Sequence, residues 1–436
     1  MPRKQIALIA AASLAALTAC SSSTGRTAPK DTKDAQNVKG DSLMRVDAAR
    51  ATVDPADLTA ASASVNAFGV DVFHAVADHG EGNVTLSPTS LATVLAMVMP
   101  GAKGQTEAEM AKALHATMPA DRFAAALGGL DSATVRRVLA DKADMQQNDS
   151  VWAQKGYAIQ QSYLQSLATA FDSGVHEIDF ADPDAARQTI NQAVQDQTKG
   201  LIKDLFGPGS IDAGTRLALT DALYFKAKWV DTFNKDLTTN LPFTLMNGTA
   251  ADVSMMSKEG KYAYAQGSGW QYAELPYQQS HMAMGILLPA AGSFDSVRKA
   301  LTAGELASMT YGTSPTEVDL QLPKFTFDST EQLKAALESL GMTSVFDPDS
   351  ADLSGVPAQP EKLSVGTVVQ KTHVAVDEDG TTAAAASGVT IMPGAVQGEI
   401  PTGPVPMHVD RPFLFLIRDT VSGQILFLGQ VTDPRG

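Results

Sequence analysis

The chain has 436 residues, a length that by itself would suit two or three domains. Apolar residues make up 44% of it, which is enough for a sizeable core, and its formal net charge is −15 at pH 7. So large a negative charge argues against nucleic acid as a partner, because binding a phosphate backbone calls for a basic surface.

The first residues have the pattern of an export signal. Arg3 and Lys4 precede an apolar stretch, Ile6 to Leu17, that is too short to cross a bilayer as an ordinary helix. The stretch ends in Leu17-Thr18-Ala19-Cys20, which resembles the signal of bacterial lipoproteins. Cys20 is the only cysteine, so diacylation after cleavage would account for a thiol that has no disulfide partner in the chain. The alternative is a secretory signal with an incidental cysteine.

Residues 20–57 have the composition of a tether. They are rich in Ser, Thr, Lys, Asp and Ala and hold few large apolar side chains, so they cannot bury enough surface to fold. The sequence thus predicts a signal peptide at residues 1–19, a disordered tether at 20–57 and a folded domain at 58–436. The lipid on Cys20 would hold that domain at the bacterial cell envelope, on the outer membrane or the cell surface.

Local patterns predict the first two helices of the folded part. The first helix shows an apolar stripe at helical spacing, formed by Val65, Phe68, Val72 and Val76. Ser87 can cap the second helix, and Pro88 suits its first position. Residues 91–99 are apolar almost all round, so this second helix should be buried.

Other runs predict strands. Leu217 to Phe225 is mostly apolar, as expected of a central strand that is covered on both faces. Near the C-terminus, Phe413–Ile417 and Ile425–Leu428 are apolar and flank a turn that contains Gly423, which predicts a hairpin.

The segment after Gly380 has the residues that a strand inserted into a sheet requires. Twelve residues, Thr381 to Met392, contain no charge, no large aromatic side chain and no proline, and they would span about 40 Å as a strand. On one face would lie Thr381, Ala383, Ala385, Ser387, Val389 and Ile391. On the other would lie Thr382, Ala384, Ala386, Gly388, Thr390 and Met392. The alternative is that Ala383–Ala386 is a small-residue linker or a turn of helix.

The chain carries no recognisable enzyme motif. It lacks the Gly-x-Ser-x-Gly, His-Glu-x-x-His, phosphate-loop and Rossmann patterns, and its seven histidines show no ligand spacing. The acidic run Asp377-Glu378-Asp379 fits either a cation site or a solvated hinge, and the second interpretation is favoured. The sequence therefore predicts no catalytic residue, no metal and no cofactor.

Several motifs together resemble those of the serpin family. Residues 373–388 resemble the serpin hinge, and Asp410 to Ile417 resembles the C-terminal signature. Further matches run in the family's order from about residue 60 to 434: Asn83–Ser90, Gly101–Thr106, Asn148–Trp152, Phe225–Trp229, Glu274–Tyr277 and Leu322–Phe325. The resemblance implies one large α+β domain with a large mixed sheet, smaller sheets, about eight or nine helices and an exposed reactive-centre loop.

The resemblance also implies a function. A serpin is a monomeric suicide substrate: a serine or cysteine protease cuts the reactive-centre loop, and the loop then inserts into the sheet before the acyl-enzyme is hydrolysed. The implied hinge consists of Glu378, Gly380, Thr381, Thr382, Ala383, Ala384, Ala385 and Ala386. The alternative is a non-inhibitory serpin that acts as a carrier or binding protein, although such members often have bulky or charged hinge residues.

Two counts locate the bait bond differently. In the family the bond lies about fourteen residues beyond the hinge glycine, which predicts Gly394 and Ala395 here. Counting back from Pro412 arrives nearer Pro401, because this loop is several residues longer than usual. The first count governs insertion and is preferred. The loop has no Arg or Lys between Gly380 and His408, which favours an elastase-like or subtilisin-like target.

The resemblance finally points to a gate that controls the opening of the sheet. It consists of Ser87, Ser90, Asp221 and Gln370, and serpins usually carry Asn and His at the last two positions. A carboxylate accepts hydrogen bonds and an amide donates them, so Asp221 and Gln370 can still pair. The alternative is that each residue changed independently and the gate is weakened.

Overall fold

The computed structural model describes residues 42–78, 82–140, 144–278, 281–360, 362–381 and 403–436. These residues contain nine α-helices: α1 (Pro55–Ala77), α2 (Pro88–Val98), α3 (Gly104–Ala113), α4 (Ala120–Ala140), α5 (Gln161–Phe171), α6 (Pro183–Gln197), α7 (Phe294–Ala300), α8 (Ala303–Tyr311) and α9 (Lys334–Ser339). Within this part of the chain, none of the helices has the length and apolar character that a membrane span needs.

The described strands form two mixed sheets. They are β1 (Ser42–Met44), β2 (Val84–Leu86), β3 (Asp144–Gln154), β4 (Val175–Ile178), β5 (Leu217–Lys228), β6 (Thr239–Thr244), β7 (Ala250–Gly267), β8 (Trp270–Pro276), β9 (Met282–Pro289), β10 (Ser314–Pro323), β11 (Phe325–Gln332), β12 (Val365–Asp377), β13 (Gly380–Thr381), β14 (Val405–His408), β15 (Phe413–Asp419) and β16 (Ile425–Val431).

The seven-stranded sheet has the order β1-β4-β3-β5-β13-β12-β11, and β5 also pairs directly with β12. The nine-stranded sheet has the order β14-β10-β7-β8-β9-β15-β16-β2, with β6 on β7. The α+β class and the large mixed sheet are as predicted. The strands expected in smaller sheets are joined through the 18-residue β7, which pairs with β6 over Ala250–Met255, with β10 over Met255–Tyr264 and with β8 over Ala263–Gly267.

Helix α2 lies between the two sheets. It packs against β3 and β5 on one side and against β16 on the other. Ser87 is its N-cap, with the side-chain oxygen accepting from the Ser90 amide at 3.2 Å, and Pro88 occupies the first turn. Every residue of the helix is buried, as its all-round apolar pattern predicts. The predicted stripe of α1 faces the core: Val65, Phe68 and Val72 are buried, and Val76 is partly buried against the same core.

Strand β5 is covered on both faces. Leu217 and Leu219 join the core that contains α1 and α2. Ala218 and Ala222 point to the opposite face, where they pack with Trp152 and helix α6. The strand extends the predicted run by three residues, to Lys228. The predicted C-terminal hairpin is likewise present, with β15 and β16 antiparallel.

Residues 42–57 are ordered, so the predicted disordered tether is wrong for this part of 20–57. Strand β1 pairs antiparallel with β4 at the edge of the seven-stranded sheet. Arg50 donates to the Gly128 carbonyl at 2.7 Å and to Ser132 Oγ at 2.8 Å, both on α4. The Ala51 amide donates to the Thr169 carbonyl on α5 at 2.9 Å. Composition misses this segment because its order comes from backbone pairing with a distant edge strand. Residues 20–41 lie outside the described part.

The contacts of Arg50 predict a stability effect. Arg50→Ala removes two hydrogen bonds that join the N-terminal segment to α4, and we expect a loss of about 1 kcal/mol. The measurement is the thermal unfolding midpoint at a fixed scan rate. Arg45→Ala is the matched control, because its ion pair with Asp172 at 2.7 Å is exposed on both sides and should contribute little. Equal midpoints for the two variants would contradict this assignment.

Candidate functional site

The hinge begins where the seven-stranded sheet divides. Strands β5 and β12 pair directly and in parallel from Leu217 to Leu223. Beyond that point β13 takes the place between them. Gly380 and Thr381 run antiparallel to Lys228 and Ala227 on one side and to the end of β12 on the other. The first two residues of the loop are therefore already strand residues between β5 and β12.

A tight turn precedes β13 and depends on Gly380. The Asp377 side chain accepts from the amides of Asp379 at 2.9 Å and Gly380 at 3.1 Å, which reverses the chain. Gly380 has φ +154°, and a Cβ there would lie 2.1 Å from the Ala227 carbonyl oxygen. Only glycine can pass this close to β5, which gives a physical reason for its place in the hinge.

Thr381 enters a buried aromatic pocket. Its side chain is 1% exposed, and its hydroxyl lies 2.6 Å from that of Tyr277. Tyr277 stacks on Trp229 with ring centroids 4.6 Å apart, and Phe225 packs edge-on at 5.1 Å. Burial raises the pKa of Tyr277 above its usual range, so its hydroxyl stays neutral. The pocket accepts a small polar side chain at the point where the loop enters the sheet.

The acidic run before Gly380 is anchored to the protein, so the prediction of a solvated hinge is wrong. Glu378 is 5% exposed and accepts from Lys324 Nζ and Thr238 Oγ1, each at 2.8 Å. Its burial favours the neutral form, but these hydrogen bonds outweigh burial and lower its pKa. Asp379 pairs with Lys235 at 2.7 Å. Among the described residues no cluster of potential metal ligands is present, so the cation alternative gains no support either.

The four gate residues meet in the structure. All are 0–1% exposed. Gln370 on β12 stands opposite Asp221 on β5 and donates to its Oδ2 at 2.6 Å. The same amide donates to the Ser87 carbonyl at 3.0 Å, and the Ser87 amide donates to Gln370 Oε1 at 2.8 Å. The predicted pairing of Asp221 with Gln370 is present, and it also ties β12 to the start of α2.

A further carboxyl group at the gate is missed by the sequence reasoning. Asp149 on β3 stands opposite Asp221 in the strand register. Ser90 Oγ lies between them, 2.7 Å from Asp149 Oδ1 and within hydrogen-bonding distance of Asp221 Oδ1. Burial raises the pKa of Asp221 to about 7 and that of Asp149 well above its usual value, where the charge of Asp221 contributes as well. The signal available in the sequence is an Asp inside the motif Asn148–Trp152, next to the apolar residues Val151 and Trp152, where a buried carboxyl group needs a partner.

The remaining predicted site residues lie outside the described part of the chain. They are the lipidation site Cys20, the hinge residues Thr382, Ala383, Ala384, Ala385 and Ala386, and the bait residues Gly394 and Ala395.

Comparison with known proteins identifies the family of the chain. The family model described as Serpin (serine protease inhibitor) matches residues 63–434. An uncharacterized serpin-like protein of Thermococcus kodakarensis is 34% identical over 374 residues, 85% of each chain. A leukocyte elastase inhibitor of Xenopus laevis is 32% identical over 389 residues, 86% of this chain and 99% of the relative. Among solved structures, native tengpin, a thermophilic serpin, matches with a TM-score of 0.77 and 26% identity, covering 90% of this chain and 97% of its own. The chain therefore belongs to the serpin family, a family of protease inhibitors and not of enzymes.

Proposed function

We propose that this chain is an inhibitory serpin, a suicide substrate that traps endopeptidases by cleavage and insertion of its loop. The observation that carries the proposal is the position of β13, whose two residues already pair with β5 and β12. A strand that continued from Thr381 in the same direction would run between these two strands towards the gate. The division of the sheet thus supplies both the entrance and the direction for insertion.

The sequence of the loop agrees with such a path. No residue from Thr381 to Met392 carries a charge, so none would be buried in the sheet without a partner. An inserted strand would form one hydrogen-bond ladder with β5 and a second with β12. In the uncut protein a single ladder joins these two strands directly, so insertion increases the number of backbone hydrogen bonds. The uncut protein is then a kinetically trapped state, and its stability depends on the barrier to opening.

Insertion would inhibit the protease through geometry. Attack on the bait bond joins the protease to the new end of the loop as an acyl-enzyme. When the loop inserts, the attached protease is carried along the sheet and its active site is distorted. Loss of the oxyanion hole removes a large share of the rate of deacylation, so the ester survives. The same course applies to serine and cysteine endopeptidases, because both form an acyl intermediate.

The proposed targets accept small or medium apolar residues. The hinge count places the bait bond at Gly394–Ala395, between Met392 and Val396, with no basic residue nearby. A trypsin-like pocket contains a buried carboxylate that such a side chain leaves unpaired. Elastase-like and subtilisin-like enzymes have apolar or small pockets instead. One relative is named as a leukocyte elastase inhibitor, which accords with this class.

We propose that acylated Cys20 anchors the inhibitor to the bacterial envelope. The apolar stretch before Cys20 and the polar composition of residues 20–41 support an anchor followed by a spacer. The part of the chain that the structure describes starts with Ser42, on the edge of the seven-stranded sheet. Proteases near the membrane surface would be the enzymes within reach.

Thr381→Arg should convert the inhibitor into a substrate. The charged side chain cannot occupy the Tyr277 pocket that Thr381 fills in the uncut protein, so residue 381 would lie outside the sheet. Burying the charge during insertion would then cost about 3 kcal/mol and slow insertion about 100-fold. We expect cleavage of the loop at the wild-type rate but little complex that survives boiling in detergent, measured with subtilisin. Thr381→Ser is the matched control, because it keeps the hydroxyl that faces Tyr277. A wild-type yield of complex with the Arg variant would show that insertion does not depend on residue 381 lying in the sheet, and no complex from the wild type or either variant would favour a carrier function.

The protease class can be tested directly. We expect stoichiometric inhibition of elastase or subtilisin, with N-terminal sequencing of the released fragment placing the cut between Met392 and Pro401. Rapid inhibition of trypsin through a cut in this loop, with elastase and subtilisin unaffected, would refute the assignment.

Cys20→Ala should release the protein from the membrane fraction. Removing the acylated thiol removes the anchor but none of the folded domain, so inhibition by the soluble variant should be unchanged. The measurement is the distribution between membrane and soluble fractions after cell lysis. Persistence of the Ala variant in the membrane would mean that another segment attaches it.

A further inference from the structure

The two hydrogen bonds at the Ser90 hydroxyl can both form only if one of the neighbouring carboxyl groups, Asp149 or Asp221, is protonated. The Ser90 hydroxyl carries a single hydrogen, yet its oxygen is within hydrogen-bonding distance of both Asp149 Oδ1 and Asp221 Oδ1. If the hydroxyl donates to one carboxylate, the second contact is favourable only when the other carboxyl group is protonated and donates to Oγ. With both ionised, one carboxylate oxygen would face the lone pairs of Ser90.

The other oxygens of the two carboxyl groups already have donors. Asp221 Oδ2 accepts from the Gln370 amide at 2.6 Å, and Asp149 Oδ2 accepts from the amide of Gln147. Both donors favour an oxygen without a proton at those positions. The extra proton therefore belongs on the Ser90 side, shared by the inner oxygens of Asp149 and Asp221.

A neighbouring charged group further favours protonation of the Asp149–Asp221 pair. From α4 the carboxyl group of Asp131 acts on both members of the pair and raises their pKa further. Asp131 itself accepts from Thr93 on α2 at 2.6 Å and from Gln424 at 3.2 Å, and the cation of Arg50 acts on it. The Arg137–Asp419 ion pair joins the same network through Thr134, which donates to Gln424 at 2.9 Å. The contacts from β12 and from the start of α2 are neutral, through Gln370 and Ser87.

We propose that the proton shared by Asp149 and Asp221 clamps α2 to the closed sheet, so that the sheet opens more readily as the pH rises. Helix α2 is held to β12 through Ser87 and Gln370, and to β3 and β5 through Ser90 and the two carboxyl groups. Insertion separates β12 from β5. Helix α2 must then give up either its contacts with β12 or its contacts with β3 and β5. Loss of the shared proton weakens the contacts with β3 and β5, because the ionised Asp149 and Asp221 then repel each other on either side of Ser90.

The direction of the pH effect follows from linkage. A raised carboxyl pKa means that the closed state binds more protons than an opened, hydrated state of ordinary pKa. The closed state is then favoured fully at low pH, and this advantage is lost as the pH rises from about 4 through about 7, to which burial raises the pKa of Asp221. This inference rests on the proposed function, because it treats opening between β5 and β12 as the step before insertion.

The test measures sheet opening without any protease. A synthetic peptide of residues 382–392 is incubated with the intact protein between pH 5 and pH 8, and the rate at which the two form a stable binary complex is followed. We expect the rate to rise at least about tenfold over this range in the wild type. In Asp149→Asn the amide donates to Ser90 at every pH, so the rate should stay low and nearly constant. Asp221→Asn is the second variant if the first does not fold.

Asp349→Asn is the control, since this exposed carboxylate lies outside the network and should leave the wild-type profile intact. A wild-type annealing rate that does not change with pH would overturn the clamp while leaving the proposed function standing. The same conclusion follows if Asp149→Asn keeps the wild-type slope. Absence of annealing at every pH, together with absence of detergent-stable complexes with subtilisin, would overturn the proposed function and the clamp with it.

Discussion

The structure depends on one arrangement, in which β5 and β12 are joined at one end and held apart at the other. At the joined end, the side chains of Asp221 and Gln370 bridge two strands that pair directly in parallel. At the divided end, two residues of the loop occupy the space and complete the hydrogen bonding that would otherwise be lost. The backbone hydrogen bonds of β5 and β12 are therefore made in the uncut protein, and a longer strand could still be inserted between them, in continuation of β13.

The two ends of this arrangement are anchored to different parts of the protein. The gate is attached to α2, a helix buried between both sheets, so that a movement there must disturb the core. The hinge is attached to Trp229 instead, whose amide and indole nitrogen donate to the carbonyls of Asp379 and Asp377 at 3.1 and 3.0 Å. Opening at the hinge costs local contacts, whereas opening at the gate involves packing of the whole domain. The barrier to insertion therefore lies at the gate, although the first two loop residues, in β13, already lie in the sheet at the hinge.

What could be predicted from the sequence was local or carried by the family resemblance. The cap at Ser87, the burial of β5 and the final hairpin follow from patterns within a few residues of each element. The pairing of Asp221 with Gln370 came from the resemblance together with the chemistry of an acceptor and a donor. The burial of Glu378, the order of residues 42–57 and the place of Asp149 depend on partners far away along the chain: Lys324, strand β4 and Asp221. Composition and periodicity carry no information about such partners.

The aromatic pocket under the hinge has a consequence for how the molecule can be observed. Trp229 is fully buried, stacks on Tyr277 and bonds directly to the backbone of the hinge turn. The other two tryptophans, Trp152 and Trp270, lie elsewhere, in the α6 core and at the junction of β7 with β8. If the hinge left the sheet or entered it further, the solvent exposure of Trp229 and its contact with the Tyr277 ring would change. The other two tryptophans would be unaffected. The protein thus carries an intrinsic fluorophore at the entrance of the sheet, and its emission would report hinge movement without a label.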